Sequence, residues 1–195
     1  MYYSSYNKLF WGFIFVFINI NLGPIDVFPN FIGFFLICAG VTTLVSQHQA
    51  FEKAKVPALL LGILSFKDVF KGQPQSFVDT SMLSQNMLWI IYDEIAFITL
   101  IYLVFSVSRA IHLLAKERGL EELSERAENR FRAYLITSLV LGFTTPFLLN
   151  VSKDWQAGYF ILAIIALIVA FFIMGLMRRA RNELGNDTED YGVGR

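Results

Sequence analysis

Gly158-Tyr-Phe-Ile-Leu-Ala-Ile-Ile-Ala-Leu-Ile-Val-Ala-Phe-Phe-Ile-Met-Gly-Leu-Met177 contains no charged residue, and Arg178-Arg-Ala-Arg181 follows it directly. At about 1.5 Å per helical residue this run reaches about 30 Å, the thickness of a bilayer's hydrocarbon core. It is therefore read as a membrane-crossing helix, 157–177, that ends on a basic flank. A second run, 131–149, precedes it across the short polar turn Asn150-Val-Ser-Lys-Asp-Trp-Gln156. Together they predict a helical hairpin with Arg on both free ends. Asn150-Val-Ser152 matches a glycosylation triplet but lies too close to the membrane to carry weight.

Outward from this hairpin, 87–108 is also long enough to cross. Its helix is expected to continue past the membrane to Gly119, a natural C-terminal stop. The N-terminal region is less regular. Segments 9–22 and 31–45 are each about 15 residues, or about 22 Å of helix. They flank Gly23-Pro-Ile-Asp-Val-Phe-Pro-Asn30, where Pro24 and Pro29 interrupt helix by lost donors and steric clash. Two forms of this link remain open: a tight hairpin whose ends extend each helix, or a partly unwound segment dipping into the bilayer. Segment 56–70 is the weakest crossing candidate. The fold class read from these runs is all-α, a polytopic bundle of about six spans.

Composition agrees. Of the 195 residues, 55% are hydrophobic and 16% charged, against about 25% charged in soluble domains. Cytoplasmic loops collect Lys and Arg. With six crossings and an inner N-terminus, the inner side holds Lys8, Lys53, Lys55, the basic residues of 109–132, Arg178, Arg179, Arg181 and Arg195. The outer side holds only Lys67, Lys71 and Lys153. Omitting 56–70 would set Lys53 and Lys55 against Arg109–Arg132, so six spans are favoured over five, with both termini cytoplasmic. Tyr2, Tyr3, Tyr6 and Trp11 fall near one interface and Trp89, Trp155 and Tyr159 near the other, as amphipathic rings prefer. The first run passes into Asn19-Ile20-Asn21 without a small-x-small cleavage site and reads as a retained span. Cys38, the one cysteine, reads as a small buried residue.

The connector 109–132 is the most charged stretch. Leu120, Leu123, Ala127 and Phe131 recur at helical spacing, and Glu122–Arg126 and Glu128–Arg132 are i,i+4 pairs. A helix-turn-helix protrusion into the cytoplasm is expected. It is either a solvated connector or a docking surface for a protein partner or lipid head groups, with Leu120, Leu123, Arg126 and Arg130 as the contact residues. Its five Glu residues oppose strong attraction to anionic lipid. The acidic tail 182–195 is expected to be disordered.

Candidate chemistry gathers on the outer side. Asp93 and Glu94 lie early in the fourth span, where an ionisable group needs a partner, a shifted pKa or water. They are either an interfacial pair held by Lys67, Lys71 or water, or a cation or proton site opening outward. Neighbouring helix positions differ by about 100°, so the two cannot share one face. Asp26, with Asn21 and Asn30, lies in the Pro-bracketed link. Carboxylates and amide oxygens are hard-cation donors, and interrupted spans are where transporters place sites, yet Asp and Asn are also ordinary turn residues. His48 and His112 lack metal-ligand spacing and are expected to be solvated. No His-Glu-x-x-His, Gly-x-Ser-x-Gly or Walker-type sequence occurs, so neither an enzyme nor a cofactor is expected. A net charge of +0 gives no reason to expect nucleic acid.

Phe31-Ile-Gly-Phe-Phe-Leu-Ile and Gln156-Ala-Gly-Tyr-Phe-Ile-Leu form a faint internal echo. The stretch Gly23-Pro-Ile-Asp-Val-Phe-Pro-Asn-Phe-Ile-Gly-Phe-Phe-Leu-Ile resembles a pattern of small polytopic membrane proteins of Gram-positive bacteria. There an Ile-Asp pair precedes Pro-Asp or Pro-Asn and a glycine-led span. The resemblance covers about the first fifth of the chain, implies a bacterial cytoplasmic membrane and carries no activity with it. Asn30 stands where many such relatives would have Asp. The functional expectation is a non-enzymatic accessory or regulatory subunit acting through partners, with a small cation- or proton-linked transporter as the alternative.

Overall fold

The computed structural model describes residues 2–18, 21–22, 25–26, 30–66, 83–144 and 153–185. At 21–22, 25–26, 83–90, 153–157 and 159–160 only the backbone is described. Lys67, Lys71, the Asn150–Ser152 triplet, the side chains of Trp89, Trp155 and Tyr159, and the tail beyond Gly185 lie outside it.

The chain is all-α in class. Its helices are α1 (Tyr2–Phe17), α2 (Asn30–Leu44), α3 (Glu52–Leu64), α4 (Leu83–Glu117), α5 (Glu121–Thr144) and α6 (Lys153–Leu184), with a 3-10 turn at Gln49–Phe51. Two of them, α4 over Ile91–Glu117 and α6 over Ile161–Leu184, are long and apolar enough to cross a membrane.

The link between α1 and α2 is not a helical extension of either. Asn21–Leu22 (β1) and Ile25–Asp26 (β2) pair antiparallel, Asn21 opposite Asp26. Within the segment expected at 9–22, α1 ends at Phe17. In the segment expected at 56–70, α3 closes at Leu64. Ser65 Oγ donates to the Leu61 and Gly62 carbonyls at 2.7 and 3.1 Å, satisfying groups that a helix end leaves without partners.

Each helix packs on its neighbours in sequence, and α1 packs on α6, closing the cycle. Neighbours run antiparallel, as paired positions show: Tyr2 with Ser46, Phe31 with Phe66, Phe105 with Phe131, Glu122 with Arg179. The tightest contact joins α1 to α2. A Cβ at Gly12 would lie 2.6 Å from Ile37 Cγ1 and 2.7 Å from the Gly33 carbonyl oxygen. One at Gly33 would lie 2.7 Å from the Gly12 carbonyl oxygen, and one at Gly40 2.8 Å from that of Ser5. The two backbones touch, which small residues permit and any other side chain prevents.

The core runs along the middle of the cycle. Phe13, Ile37, Leu103, Val104, Val107, Ile111, Ile173 and Met177 are wholly buried. Large apolar side chains are exposed on every helix: Trp11, Phe35, Ile63, Ile98, Phe143 and Phe172 are examples, with Ile98 at 64% and Phe143 at 72%.

Gly119 ends the α4–α5 turn at φ 70, where glycine carries no steric penalty. The connector does not protrude. Ala110, Ile111, Ala115, Leu123 and Ala127 are buried, and α1, the 3-10 turn and α6 reach the same level, as Tyr6–Phe51, His48–Glu117 and Glu122–Arg179 contacts record. Tyr6, expected at an interface, is wholly buried. Residues 182–184, expected in a disordered tail, form the last turn of α6, because the Leu184 carbonyl is captured by two side chains described below.

Gly33→Val is expected to lower stability by about 2 kcal/mol, an overpacking cost that no side-chain rotation relieves because the clash is with backbone. Gly158→Ala, with nothing within 4 Å of the added Cβ, is expected to raise it by about 0.5–1 kcal/mol through helix propensity. Unfolding by SDS titration from mild detergent measures both.

Candidate functional site

A cleft opens where α1, α2, α3 and α4 meet. The Tyr92 hydroxyl donates to the Leu64 carbonyl at the end of α3. The cleft is half-open, holds about 240 Å³ and is lined by Val16, Asn30, Phe34, Leu61, Leu64, Ser65, Tyr92, Asp93, Ala96, Phe97 and Leu100. Its floor is apolar and its polar groups stand at the outer rim.

Two expected site residues meet here. Asn30, the first residue of α2, lines the cleft, and its Oδ1 is buried without a hydrogen-bond partner among the described residues. Asp93 lines the same cleft from α4 and is exposed. Glu94 is exposed and does not line the cleft; the 100° step between neighbours turns it away. Asn21 and Asp26 face each other through their backbones in the β1–β2 ladder, and their side chains lie outside the described residues. Ser65 and Tyr92 are the polar groups that sequence reading missed. A Tyr inside an apolar run must find a partner for its hydroxyl, and that was the available signal. The Ser65 and Tyr92 hydroxyls donate to α3 carbonyls, and Asn30 and Asp93 complete the polar part of the lining.

The opposite end of the bundle is closed by a polar network. The Leu184 carbonyl accepts from Gln47 Nε2 at 2.7 Å and Arg118 Nη1 at 3.4 Å. Tyr6 donates to Gln47 Oε1 at 2.9 Å, and burial pushes its phenol well above the ordinary tyrosine range. Arg181 donates to Asn7 Oδ1 at 2.8 Å and lies over the Tyr3 ring. Nearby, Glu122 takes Arg179 at 2.8 Å and Arg126 at 2.5 Å, and these guanidinium groups hold its carboxyl below the usual range.

The four expected docking residues differ in exposure within the chain. Leu123 is wholly buried, and Leu120 packs against the core. Arg126 is exposed but tied to Glu122, while Arg130, half-buried, donates to the Phe172 carbonyl at 2.8 Å. Helical periodicity marks a buried face, and that face meets this chain's own core.

Neither histidine is merely solvated. His48 Nδ1 accepts from the Ala50 N–H at 3.0 Å, so the ring hydrogen belongs on Nε2, 3.1 Å from Glu117. His112 Nδ1 lies 2.9 Å from Ser124 Oγ. Cys38 is half-buried with a free thiol. Among the described residues no three His, Cys, Asp or Glu side chains gather as metal ligands. Comparison of the chain with protein-family models, curated proteins and solved structures finds no match.

Tyr6→Phe leaves Gln47 Oε1 without its donor and is expected to cost about 1–2 kcal/mol. Asn30→Leu removes an acceptor without a partner among the described residues and is expected to leave stability unchanged or raise it by up to about 1 kcal/mol. Thermal unfolding in detergent separates the two.

Proposed function

We propose that the chain is an integral membrane protein of a bacterial cytoplasmic membrane, with six spans and both termini in the cytoplasm, that serves as a non-enzymatic accessory or regulatory subunit. Three features support the membrane reading. Exposed apolar side chains occur on all six helices, where a soluble domain keeps such patches small. From Leu83 to Phe105, α4 offers about 33 Å of helix, and from Lys153 to Phe172, α6 offers about 29 Å, both matching the hydrocarbon core. Apart from Asp93 and Glu94, the exposed charges of α4, α5 and α6 among the described residues gather at one end, around Arg109, Arg132 and Arg178, as a cytoplasmic face requires.

The observation that carries the subunit reading is the filling between the two ends. Directly inward from Leu100, at the floor of the cleft, come Leu103, Val104 and Val107, buried against Phe13, Ile37 and Ile173. A carrier needs a polar path at some stage of its cycle, and this packing opposes one. The exposed face of α5 with Glu121, Glu125, Arg126 and Asn129 is the surface left for a partner.

The second reading is a small cation- or proton-linked transporter. It is favoured by one observation, that Asn30 and Asp93 share the cleft. Because α4 begins at Leu83, Asp93 lies about 15 Å along the helix from its outer end, deeper than a start at Met87 would place it.

One experiment decides between them. Purified protein reconstituted in vesicles is expected to carry no H⁺, Na⁺ or K⁺ flux above that of protein-free vesicles. A flux abolished by Asp93→Asn would overturn the subunit reading and establish the transporter.

A further inference from the structure

Several arginines and glutamates gather along the seam between α5 and α6. Glu122 pairs with Arg126 and Arg179, Arg179 also pairs with Glu183, and Arg132 pairs with Glu128. Arg130 sits among them without a carboxylate among the described residues. Its Nη1 donates to the Phe172 main-chain carbonyl at 2.8 Å. A carbonyl dipole offsets only part of a full charge. The Nε–H and the Nη2 hydrogens have no partner among the described residues.

The position is also confined. Arg130 is half-buried, and a Cβ on Gly175 would lie 3.2 Å from its Nη1, a contact that would make the guanidinium shift by a few tenths of an ångström on the surface of α6. Desolvation pushes the Arg130 pKa down, and Arg126 and Arg179 push it the same way. Partial burial removes some of the water that would solvate the guanidinium, and an anion docked here would replace it.

Phe172 is also where the apolar surface of α6 ends. Ile168, Phe171 and Phe172 are exposed, and Arg178 is the next exposed residue beyond them. On α5 the exposed apolar surface begins at Ile136, just past Arg132. Arg130 therefore stands at the border between an apolar face and a charged one. An anion at such a border with an apolar tail beside it has the form of a phospholipid.

We infer that Arg130 anchors a site for the phosphate of an anionic phospholipid of the inner leaflet, held at the α5–α6 seam with its acyl chains along Ile168 and Phe172. A guanidinium meets a phosphate through two parallel N–H donors, and the unspent Nε and Nη2 donors of Arg130 supply such a fork. The glutamates of the connector limit general adsorption to an acidic surface, so the site takes one lipid and does not bind a whole leaflet. The inference rests on the membrane reading above, with Arg130 on the cytoplasmic side.

Native mass spectrometry of the detergent-purified protein tests it, with phosphatidylglycerol, phosphatidylcholine and inorganic phosphate as separate probes. One phosphatidylglycerol is expected to bind the wild type in preference to phosphatidylcholine. Arg130→Gln is expected to weaken it about tenfold or more, as loss of a charge-assisted contact does. Gly175→Ala keeps the charge but crowds the guanidinium and is expected to weaken binding several-fold, which covers the case in which Arg130→Gln does not fold. Arg132→Gln, which removes a guanidinium already paired with Glu128, is expected to bind like the wild type. Equal retention of both lipids by the wild type, or equal phosphatidylglycerol binding by wild type, Arg130→Gln and Gly175→Ala, would overturn the site. Competition by millimolar inorganic phosphate would reassign it to a free anion. Failure of the membrane reading itself would look different: the protein would purify without detergent.

Discussion

The backbone contact between α1 and α2 at Gly12, Gly33 and Gly40 is the constraint on which the remaining architecture depends. In an apolar surrounding, helices gain little from burying apolar surface against each other, and close van der Waals packing has to supply the association. Three glycines allow two short helices to meet along their backbones. That contact sets the register bringing Tyr6 to Gln47, and Gln47 in turn reaches the Leu184 carbonyl at the end of α6. Closure of the helix cycle at the inner end therefore begins with glycine. At the outer end the same pairing sets Asn30 beside Val16 and Phe34, where the cleft forms.

The two ends contrast. The charged end is cross-linked by side chains from α1, the turn after α2, α4, α5 and α6, with the Leu184 carbonyl captured and Arg126, Arg132 and Arg179 paired with glutamates. The outer end has a two-residue ladder in place of helix between α1 and α2, and a buried amide oxygen without a partner among the described residues. Local openings draw on regions with few buried contacts, so motion linked to function is expected at the cleft, while the inner end holds the helices together. This division suits a protein that receives a ligand or partner without passing anything through its middle, where Phe13, Val107 and Ile173 are packed.

Much of the helical layout was legible in the sequence because it rests on local physics. The run 157–177 lies within α6, Gly119 marks the end of α4 with a positive φ, and Glu122–Arg126 and Glu128–Arg132 pair as their spacing allows. What depends on distant partners was not legible. Leu120 and Leu123 carry the same periodicity whether they face a partner or the core, and burial alone distinguishes the cases. The three interface glycines contribute almost nothing to a hydropathy reading. Asn30 and Asp93 are far apart in sequence, and only the packing of α2, α3 and α4 brings them to one cleft. His48 looked solvated because the carboxylate it meets, Glu117, is supplied by another helix.

The membrane topology is the claim from which the placement of the cleft and of Arg130 follows, and site-specific thiol labelling tests it most directly. In a Cys38→Ala background, single cysteines are introduced at Ser4, Glu121 and Asn182 on the proposed cytoplasmic side and at Ser76, between α3 and α4, on the outer side. In intact cells a membrane-impermeant maleimide is expected to label only the cysteine at position 76, and the other three only after the membrane is opened. Labelling of position 4 or 121 in intact cells, or protection of position 76, would contradict the six-span arrangement.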